Sequence, residues 1–471
     1  MFKKKLTKVL NEKHQHENKA IEQINFEEID VEVKPQNKVS WVGVFVPVSI
    51  VLLVGAVVLP ITLMNKTPVA EEKKVEQITN PNKEFNKGGT ILPNYRQAVN
   101  DFAIDLLPHL YNGKDNMVCS PLSIATCTSM LLDGAKGDTR KELETLLHYD
   151  ESKFDHLLSI KNMLNKTSVD VVNKKDKATS FLNVSQSFFL SDHAREYKQS
   201  YFDILQNNYY AEAYRGDLST KEMQKLLVDW INNKTNNFLN LTTDDFKFPN
   251  DSYLWLVNAL YMKATWNADH FNENKIYFTD INGKGEEVDS VFFVQNLTTI
   301  YENDDYYFLN IPLRDDFRYN VVLPKNNSEL LSNPETFKLL LDETYRKNQL
   351  EEVYCTLTTN LPQYKETTKL DIVETYKAMG VSKVFDSSCD LSNIVDPTIT
   401  PLSVGQIQHG AGIEVNEIGV EGAAYTTIMI LENAMGDTYK HINININHPF
   451  AYSVTYDGLP IFTGIETVIK R

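Results

Sequence analysis

The stretch from Glu414 to Thr427, EVNEIGVEGAAYTT, decides the fold because its second half alternates in a way that an ordinary surface loop does not need. From Val420 onward every second position is uncharged and small or apolar, through Ile430. The positions between them hold the only charge, Glu421, and the only ring, Tyr425. Successive residues of a strand face opposite sides of a sheet, so this segment can enter a sheet with one packed face. The sequence therefore predicts a loop that is able to become a strand.

The residues before and after this loop predict an α+β fold. Upstream, Ser120 before Pro121 is a typical helix start, and the helix SPLSIATCTSMLLDG is expected to end at Gly134. Thr139 and Glu142 resemble the capping box of a second helix. Downstream, isoleucines at 442, 444 and 446 alternate with asparagines, which is the period of a strand, and Asp457-Gly458 is a hairpin signal. Helices early and strands late favour antiparallel sheets.

Composition excludes several classes of function. The formal charge of −16 argues against binding of a phosphate backbone, which needs clustered Lys and Arg, so nucleic acid is not expected as a partner. Zinc helices, nucleophile elbows and phosphate-binding glycine loops are absent from the sequence, which predicts neither an enzyme nor a metal site or other cofactor. The four cysteines, at 119, 127, 355 and 389, are too scattered for a disulfide framework, and the first two are expected to be buried thiols.

A long apolar run near the N-terminus predicts a membrane anchor. The 24 residues from Trp41 to Met64 contain no charge, and about 20 suffice to span a bilayer core. The run begins too far from the N-terminus, and is too long, for a cleaved signal peptide. Lysines are more frequent before it than after it, which favours an N-terminus inside and the rest of the chain outside the cell.

The chain is predicted to have four parts. Residues 1–40 are expected to be a cytoplasmic tail, 41–64 a transmembrane helix, 65–92 a flexible stalk rich in Pro, Gly, Asn and mixed charge, and 93–471 one large globular domain.

Four stretches in the globular part resemble the serpin family, in the family's order. They are NMVCSPLSIATCTSMLLDGAKGDTRKELETLL from Asn116, LVNALYMKATWNADHF from Leu256, the loop segment quoted above, and HPFAYSVTYDGLPIFTG from His448. The resemblance implies helices packed around three mostly antiparallel sheets, with an exposed reactive-centre loop at about 417–441.

The resemblance also implies a function. An inhibitory serpin is a suicide inhibitor: a serine protease attacks the loop, forms an acyl-enzyme, and is trapped when the cleaved loop inserts into the main sheet. We expect a covalent complex with a serine protease, or with a cysteine protease, formed by a monomer without a cofactor. Two alternatives stay open at this point, namely a non-inhibitory serpin that acts as a binding or scaffold protein, and a surface hydrolase that uses Ser and His.

Matching positions identify the candidate site residues. The hinge of the loop would comprise Glu417, Gly419, Val420, Glu421, Gly422, Ala423, Ala424 and Thr426. The polar cluster beneath the main sheet that serpins call the shutter would comprise Ser120, Ser123, Asn258 and His409, and Trp266 would lie at the breach, where insertion begins. A set of core polar groups and a plain core aromatic are the simpler interpretations of these residues, because buried polar atoms need partners in any fold.

Two features depart from the pattern of the family. Val420 stands where inhibitory serpins tend to have Thr or Ser, and Gly422 where they tend to have Ala; neither is a charge or a Pro, so insertion is expected to survive. The distal part of the loop is longer than usual. Counting forward from Glu417 therefore places the scissile bond between Asn433 and Ala434, whereas counting back from Pro449 places it near Thr438 and Tyr439.

Overall fold

The structure is a computed structural model that describes residues 48–53, 76–79, 90–167, 180–194, 196–249, 251–267, 270–398, 400–420 and 440–470. The chain divides into two units, 1–43 and 44–471, and every described residue belongs to the second. The predicted cytoplasmic tail lies outside the described residues, as does the loop from Glu421 to Tyr439.

The strands of the described part form two large sheets. They are β1 (Val48–Leu53), β2 (Glu76–Thr79), β3 (Met117–Cys119), β4 (Phe181–Ser191), β5 (Glu212–Gly216), β6 (Leu254–Thr265), β7 (His270–Thr279), β8 (Gly285–Glu302), β9 (Tyr306–Pro312), β10 (Phe317–Pro324), β11 (Glu351–Pro362), β12 (Tyr364–Asp371), β13 (Gln408–Val415), β14 (Gly419–Val420), β15 (Lys440–Asn445), β16 (Phe450–Tyr456) and β17 (Leu459–Glu466).

The main sheet has the order β12–β13–β1–β6–β4–β5–β2, with β14 added to the end of β6. The second sheet has the order β15–β11–β8–β9–β10–β16–β17–β3, with β7 paired to β8. Most pairings are antiparallel; β4 with β5 and β11 with β15 are parallel. The hairpin predicted at Asp457-Gly458 is confirmed as the turn between β16 and β17.

The expected number of sheets was three, whereas hydrogen bonding among the described strands joins them into two. The reason is the length of β8, which has 18 residues. It pairs with β11 from Ser290 to Glu302, with β7 along its first part and with β9 at its end. One long strand thereby connects what would otherwise be separate sheets.

The helices of the described part are α1 (Pro93–Leu110), α2 (Pro121–Gly134), α3 (Gly137–Leu146), α4 (His156–Thr167), α5 (Gln199–Asn208), α6 (Lys221–Lys234), α7 (Pro334–Leu341), α8 (Glu343–Gln349) and α9 (Val373–Ala378). Helix α2 has the predicted bounds, because the Ser120 hydroxyl accepts a hydrogen bond from the Ser123 amide and Pro121 needs no hydrogen-bond partner. Every residue of α2 is buried, and the helix packs against β6. Its N-terminus is therefore held beneath the middle of the main sheet.

The two faces of the main sheet are packed against different layers. Even-numbered apolar residues of β6, such as Leu256 and Leu260, belong to the large core that contains α2. Odd-numbered residues, such as Trp255 and Val257, belong to a smaller core beneath α6 and the segment that follows it. Both faces of β6 are buried, which is why its sequence is an almost continuous apolar run rather than an alternating one.

One part of the predicted transmembrane helix is a strand. Val48–Leu53 forms β1, which is hydrogen-bonded to β6 on one side and to β13 on the other. Its sequence, VSIVLL, is uncharged and rich in β-branched residues, which favour strands when neighbouring strands offer partners. The rest of 41–64 lies outside the described residues. Among the helices that the structure describes, none is both long and apolar enough to cross a membrane.

The predicted flexible stalk also contains a strand. Glu76–Thr79 forms β2, which pairs antiparallel with β5 at the edge of the main sheet. A strand at the edge of a sheet has unpaired backbone groups, and Ile and Thr in this segment are suited to pair with them. Residues 65–75 and 80–89 of the predicted stalk lie outside the described residues.

Candidate functional site: the centre and upper end of the main sheet

The base of the predicted reactive loop is fixed to the end of β6. The indole Nε1–H of Trp266 donates to the Asn416 carbonyl oxygen at 2.9 Å, and its backbone amide donates to the Ile418 carbonyl at 3.3 Å. The Ile418 amide in turn donates to the Asn416 side-chain oxygen at 3.0 Å. These bonds hold the predicted breach residue against Asn416 and Ile418, which lie on either side of Glu417, the first predicted hinge residue.

Trp266 is almost fully buried, with 1% of its surface exposed. Its ring meets Phe293 edge-on at 4.9 Å between centroids and Tyr319 at 5.9 Å. Both partners belong to the second sheet, so Trp266 ties the loop base on the main sheet to the neighbouring layer. A buried Trp N–H usually has a hydrogen-bond partner, which is here the Asn416 carbonyl, and the breach role of Trp266 stays a prediction.

Two of the predicted hinge residues, Gly419 and Val420, are paired with the main sheet. Gly419 pairs with Thr265 and Val420 with Ala264, and Val420 is fully buried in the large core. A Cβ atom at Gly419 would lie 2.3 Å from the Ala264 carbonyl oxygen, and the residue has a φ of +150°, so this approach requires glycine. Glu417 is half-buried just before this contact.

The other predicted hinge residues, Glu421, Gly422, Ala423, Ala424 and Thr426, lie outside the described residues, as do the candidate scissile residues Asn433, Ala434, Thr438 and Tyr439. Their roles stay predictions.

The four predicted shutter residues are brought together beneath the sheet. The Ser123 hydroxyl donates to the Asn258 side-chain oxygen, and the Ser120 amide donates to Nε2 of His409 at 3.1 Å. All four side chains are buried. Because an amide N–H donates to Nε2, that nitrogen carries no proton in this arrangement. Helix α2 is thus bonded to β6 through one serine and to β13 through the other.

Strand β1 separates the two halves of this cluster. We call the strand position between β6 and β13 the central strand position. Within it, Val51 is the pairing partner of Asn258 on one side and of His409 on the other. Neighbouring strands are about 4.8 Å apart, so the backbones of Asn258 and His409 are separated by two such spacings, about 10 Å.

The same row contains buried polar atoms that lack partners. Gln186 of β4 pairs with Asn258, and both its amide atoms, together with Nδ2 of Asn258, have no hydrogen-bond partner among the described residues. Such groups are uncommon, and each costs about 1–3 kcal/mol when left unpaired. The unpaired polar atoms in this row therefore lower the stability of the folded sheet.

Sequence reasoning missed two polar features near the site. Glu414 of β13 lies 3.4 Å from Nζ of Lys365, yet burial raises the pKa of its carboxyl. Deeper in the molecule, the Asn116 amide donates at 2.8 Å to both Glu366 of β12 and Glu466 of β17. Burial, and then the neighbouring Glu366, raise the pKa of Glu466 well above its usual range.

These carboxylates join the two sheets, but they are 100 residues apart in the chain, and no local pattern marks them. Among the described residues there is no group of His, Cys, Asp or Glu that could hold a metal ion. All four cysteines are free thiols; Cys119 and Cys127 are buried, as predicted.

Solved structures share this fold. The native state of tengpin, a thermophilic serpin, matches with a TM-score of 0.67 at 20% identity, covering 84% of this chain and all of that chain. Human thyroxine-binding globulin, in a complex with thyroxine, matches with a TM-score of 0.65 at 18% identity, covering 81% of this chain and all of that chain.

Sequence comparison agrees. Serpin B4 of Homo sapiens is 25% identical over 379 residues, which cover 76% of this chain and 94% of the relative. The sequence model of the family described as "Serpin (serine protease inhibitor)" matches residues 97–467. The chain therefore belongs to the serpin family, whose members are in general protease inhibitors rather than enzymes. The family also includes proteins that do not inhibit, so membership alone does not assign inhibition.

Proposed function

We propose that this serpin is a suicide inhibitor of serine proteases, which traps the acyl-enzyme by inserting its cleaved reactive loop into the main sheet. The observation that carries the proposal is the pairing of Gly419 and Val420 with the end of β6, because it starts the loop in the direction that insertion would continue. Each further residue of the loop would pair with the next residue down β6.

The sheet itself supports this proposal. A strand fits between β6 and β13, antiparallel to both, as β1 demonstrates. The serines of α2 are bonded to the two flanking strands, so the cluster lies where these strands would have to move apart. The amide group of Gln186 and Nδ2 of Asn258, which have no hydrogen-bond partner among the described residues, indicate a sheet that a rearrangement can stabilise.

Insertion would move a bound protease far enough to damage it. About 15 loop residues at ~3.3 Å each correspond to a displacement on the order of 50 Å. The protease's serine would attack the scissile carbonyl, form an ester with the loop and release the new amine. The protease is trapped only if the loop inserts faster than water hydrolyses that ester.

The first test is to mix the full-length chain with a panel of serine and cysteine proteases and look for an SDS-stable complex. Mass spectrometry of the released C-terminal peptide then decides between the Asn433–Ala434 bond and a bond near Thr438 and Tyr439. Cleavage by every protease without any complex, both in this chain and in a Val51→Pro variant that weakens the pairing of β1, would refute the proposal.

Two matched hinge variants test insertion itself. Val420→Arg places a charge at a fully buried position, where an unpaired charge is costly, and should convert the inhibitor into a substrate. Glu421→Gln changes the next position, which alternation assigns to the opposite face and the same register places opposite Lys263, and it should retain the complex because it introduces no like charge. Equal behaviour of the two variants would contradict the proposed mode of insertion.

A non-inhibitory binding or scaffold protein is the second candidate, and one observation favours it: the central strand position already holds β1. A sharp rise of thermal stability after cleavage of the loop excludes this candidate, because an inserted loop would pair with a longer stretch of β6 and β13 than the six residues of β1 do.

We also propose that the run 41–64 anchors a membrane-bound form of the protein, with the serpin domain outside the cell. Its length and lack of charge support this, as does the excess of preceding lysines. Release of the chain from membranes by alkaline carbonate would refute the anchor, and protease protection of an N-terminal tag would test the orientation.

A further inference from the structure

An N-terminal strand, β1, lies between β6 and β13, where the cleaved loop would have to insert under the proposed function. Strand β1 pairs with β6 from Val48 opposite Tyr261 to Leu53 opposite Leu256. It pairs with β13 from Val48 opposite Gly412 to Leu52 opposite Gln408. Residues 48–52 are thus paired on both sides and leave no unpaired edge between β6 and β13 over this length.

The pairing of the loop base shows which loop residues would need this position. On β6, Val420 pairs with Ala264, so three further steps place residue 423 opposite Tyr261. On the β13 side, Asn416 bridges Gly419, so four further steps place residue 423 opposite Gly412. Tyr261 and Gly412 are the two partners of Val48.

Two independent pairings therefore converge on one register. Residues 423–428 of an inserted loop would take the positions of residues 48–53 one for one, and they would run in the same direction, antiparallel to both flanking strands. The two segments cannot occupy the central strand position together, because each needs the same backbone groups of β6 and β13.

The flanking strands suit an apolar occupant of either kind. Small residues line the pairing positions, with Ala259 on β6 and Gly410, Ala411 and Gly412 on β13. A Cβ atom at Gly412 would lie 2.7 Å from the ring of Phe238, so the segment after α6 closely covers this part of the sheet. The sequence of Val48–Leu53 contains no charged residue.

We infer that Val48–Leu53 is an internal occupant of the central strand position and keeps the serpin from trapping a protease while it is bound there. The inference rests on the proposed inhibitory function and concerns its regulation. With β1 in place, the cleaved loop cannot insert beyond its first residues. Water then hydrolyses the ester, releasing the cleaved loop as a carboxylate together with the free protease. The chain behaves as a substrate until β1 leaves.

A reversible cross-link tests both occupancy and blocking in the full-length chain. Ser49 and Ala411 are direct partners, and the Cα separation of such pairs, about 4.5–5.5 Å, suits a disulfide. The double variant Ser49→Cys/Ala411→Cys should form the 49–411 disulfide on mild oxidation in detergent micelles. Val58→Cys/Ala411→Cys, with one cysteine outside β1, is the matched control and should not form its disulfide. Peptide mass spectrometry detects each link.

The protease reaction then measures blocking. With a protease from the panel, oxidised Ser49→Cys/Ala411→Cys should give cleaved chain and no SDS-stable complex, and reduction should restore the complex. Val51→Pro, which removes a backbone donor from the middle of β1, should increase the fraction trapped as complex over the wild type. Val58→Pro should leave this fraction at the wild-type value.

The outcomes separate the two proposals. This inference is overturned if the 49–411 disulfide forms in no higher yield than the control disulfide. It is also overturned if the oxidised protein forms the complex as fast as the reduced protein does. Either result leaves the inhibitory function intact. Absence of any complex, with Val51→Pro included, refutes the proposed function, and the blocking role falls with it, whatever the cross-link shows.

Discussion

Removal of the bond between Ser123 and Asn258 should weaken the sheet by an amount that the structure allows us to bound. The Ser123 hydroxyl donates to the Asn258 side-chain oxygen, and both residues are fully buried. Ser123→Ala leaves that oxygen without its donor, and the expected loss is about 1–3 kcal/mol of unfolding free energy. In a double-mutant cycle with Asn258→Ala, the two effects should fall short of additivity by about 1 kcal/mol, since either change alone breaks the bond.

The assay is urea unfolding of the wild type, the two single variants and the double variant, followed by tryptophan fluorescence. Ser129→Ala is the control on the same helix, because its hydroxyl bonds to Ala125 and Tyr149 instead. It should be additive with Asn258→Ala to within about 0.5 kcal/mol. A coupling of Ser123 and Asn258 no larger than this control value would refute the assignment of the bond as a link between helix and sheet.

Three further perturbations have defined outcomes. Trp266→Phe removes the donor to the loop base and should increase amide hydrogen exchange at residues 418–420 by up to about tenfold, whereas Trp255→Phe, whose Nε1 has no partner among the described residues, should not. Gly412→Val should lower stability by about 1–3 kcal/mol in thermal unfolding because its Cβ meets a ring at 2.7 Å, while Gly410→Ala, with its nearest neighbour at 3.8 Å, should be tolerated. The raised pKa of Glu466 means that its stabilising contribution is full below the ordinary pKa of 4.5 and is lost as pH rises through the raised value. Glu466→Gln should therefore gain stability over the wild type between pH 5 and pH 8 and none at pH 4, and a constant difference would contradict this linkage.

Local chemistry explains which helices could be predicted. Helix α2 begins at Pro121 as expected, because the signal and the group it satisfies lie within three residues of each other. Helix α3 begins at Gly137, before the predicted capping box. The Thr139 hydroxyl instead accepts from the Asp390 amide, and Glu142 accepts from the Ser382 amide, so both side chains serve partners about 240 or more residues away. A capping signal is unreliable where tertiary partners compete for it.

The run from Trp41 to Met64 shows a different limit. A continuous apolar run has no periodicity, and length alone then favours a helix. What makes Val48–Leu53 a strand is the presence of two flanking strands, β6 and β13, that lie more than 200 residues downstream. The four shutter residues, which the structure brings together, could be predicted from the resemblance to the serpin family. No periodicity in the sequence identifies them.

The two environments proposed for residues 48–53 satisfy the same physical demand. A backbone amide that leaves water must be hydrogen-bonded, and this is achieved either in a transmembrane helix or between two strands. An uncharged segment such as VSIVLL is therefore stable in a bilayer or in the central strand position, but not in both at once. If both proposals hold, a chain anchored through 41–64 leaves the central strand position open to its reactive loop, whereas a chain removed from the membrane fills it. Trapping of proteases should then be more efficient for protein reconstituted in vesicles than for the same protein after extraction. Trapping is measured as the ratio of SDS-stable complex to cleaved chain. An equal ratio in the two states would show that membrane anchoring does not control insertion of the loop.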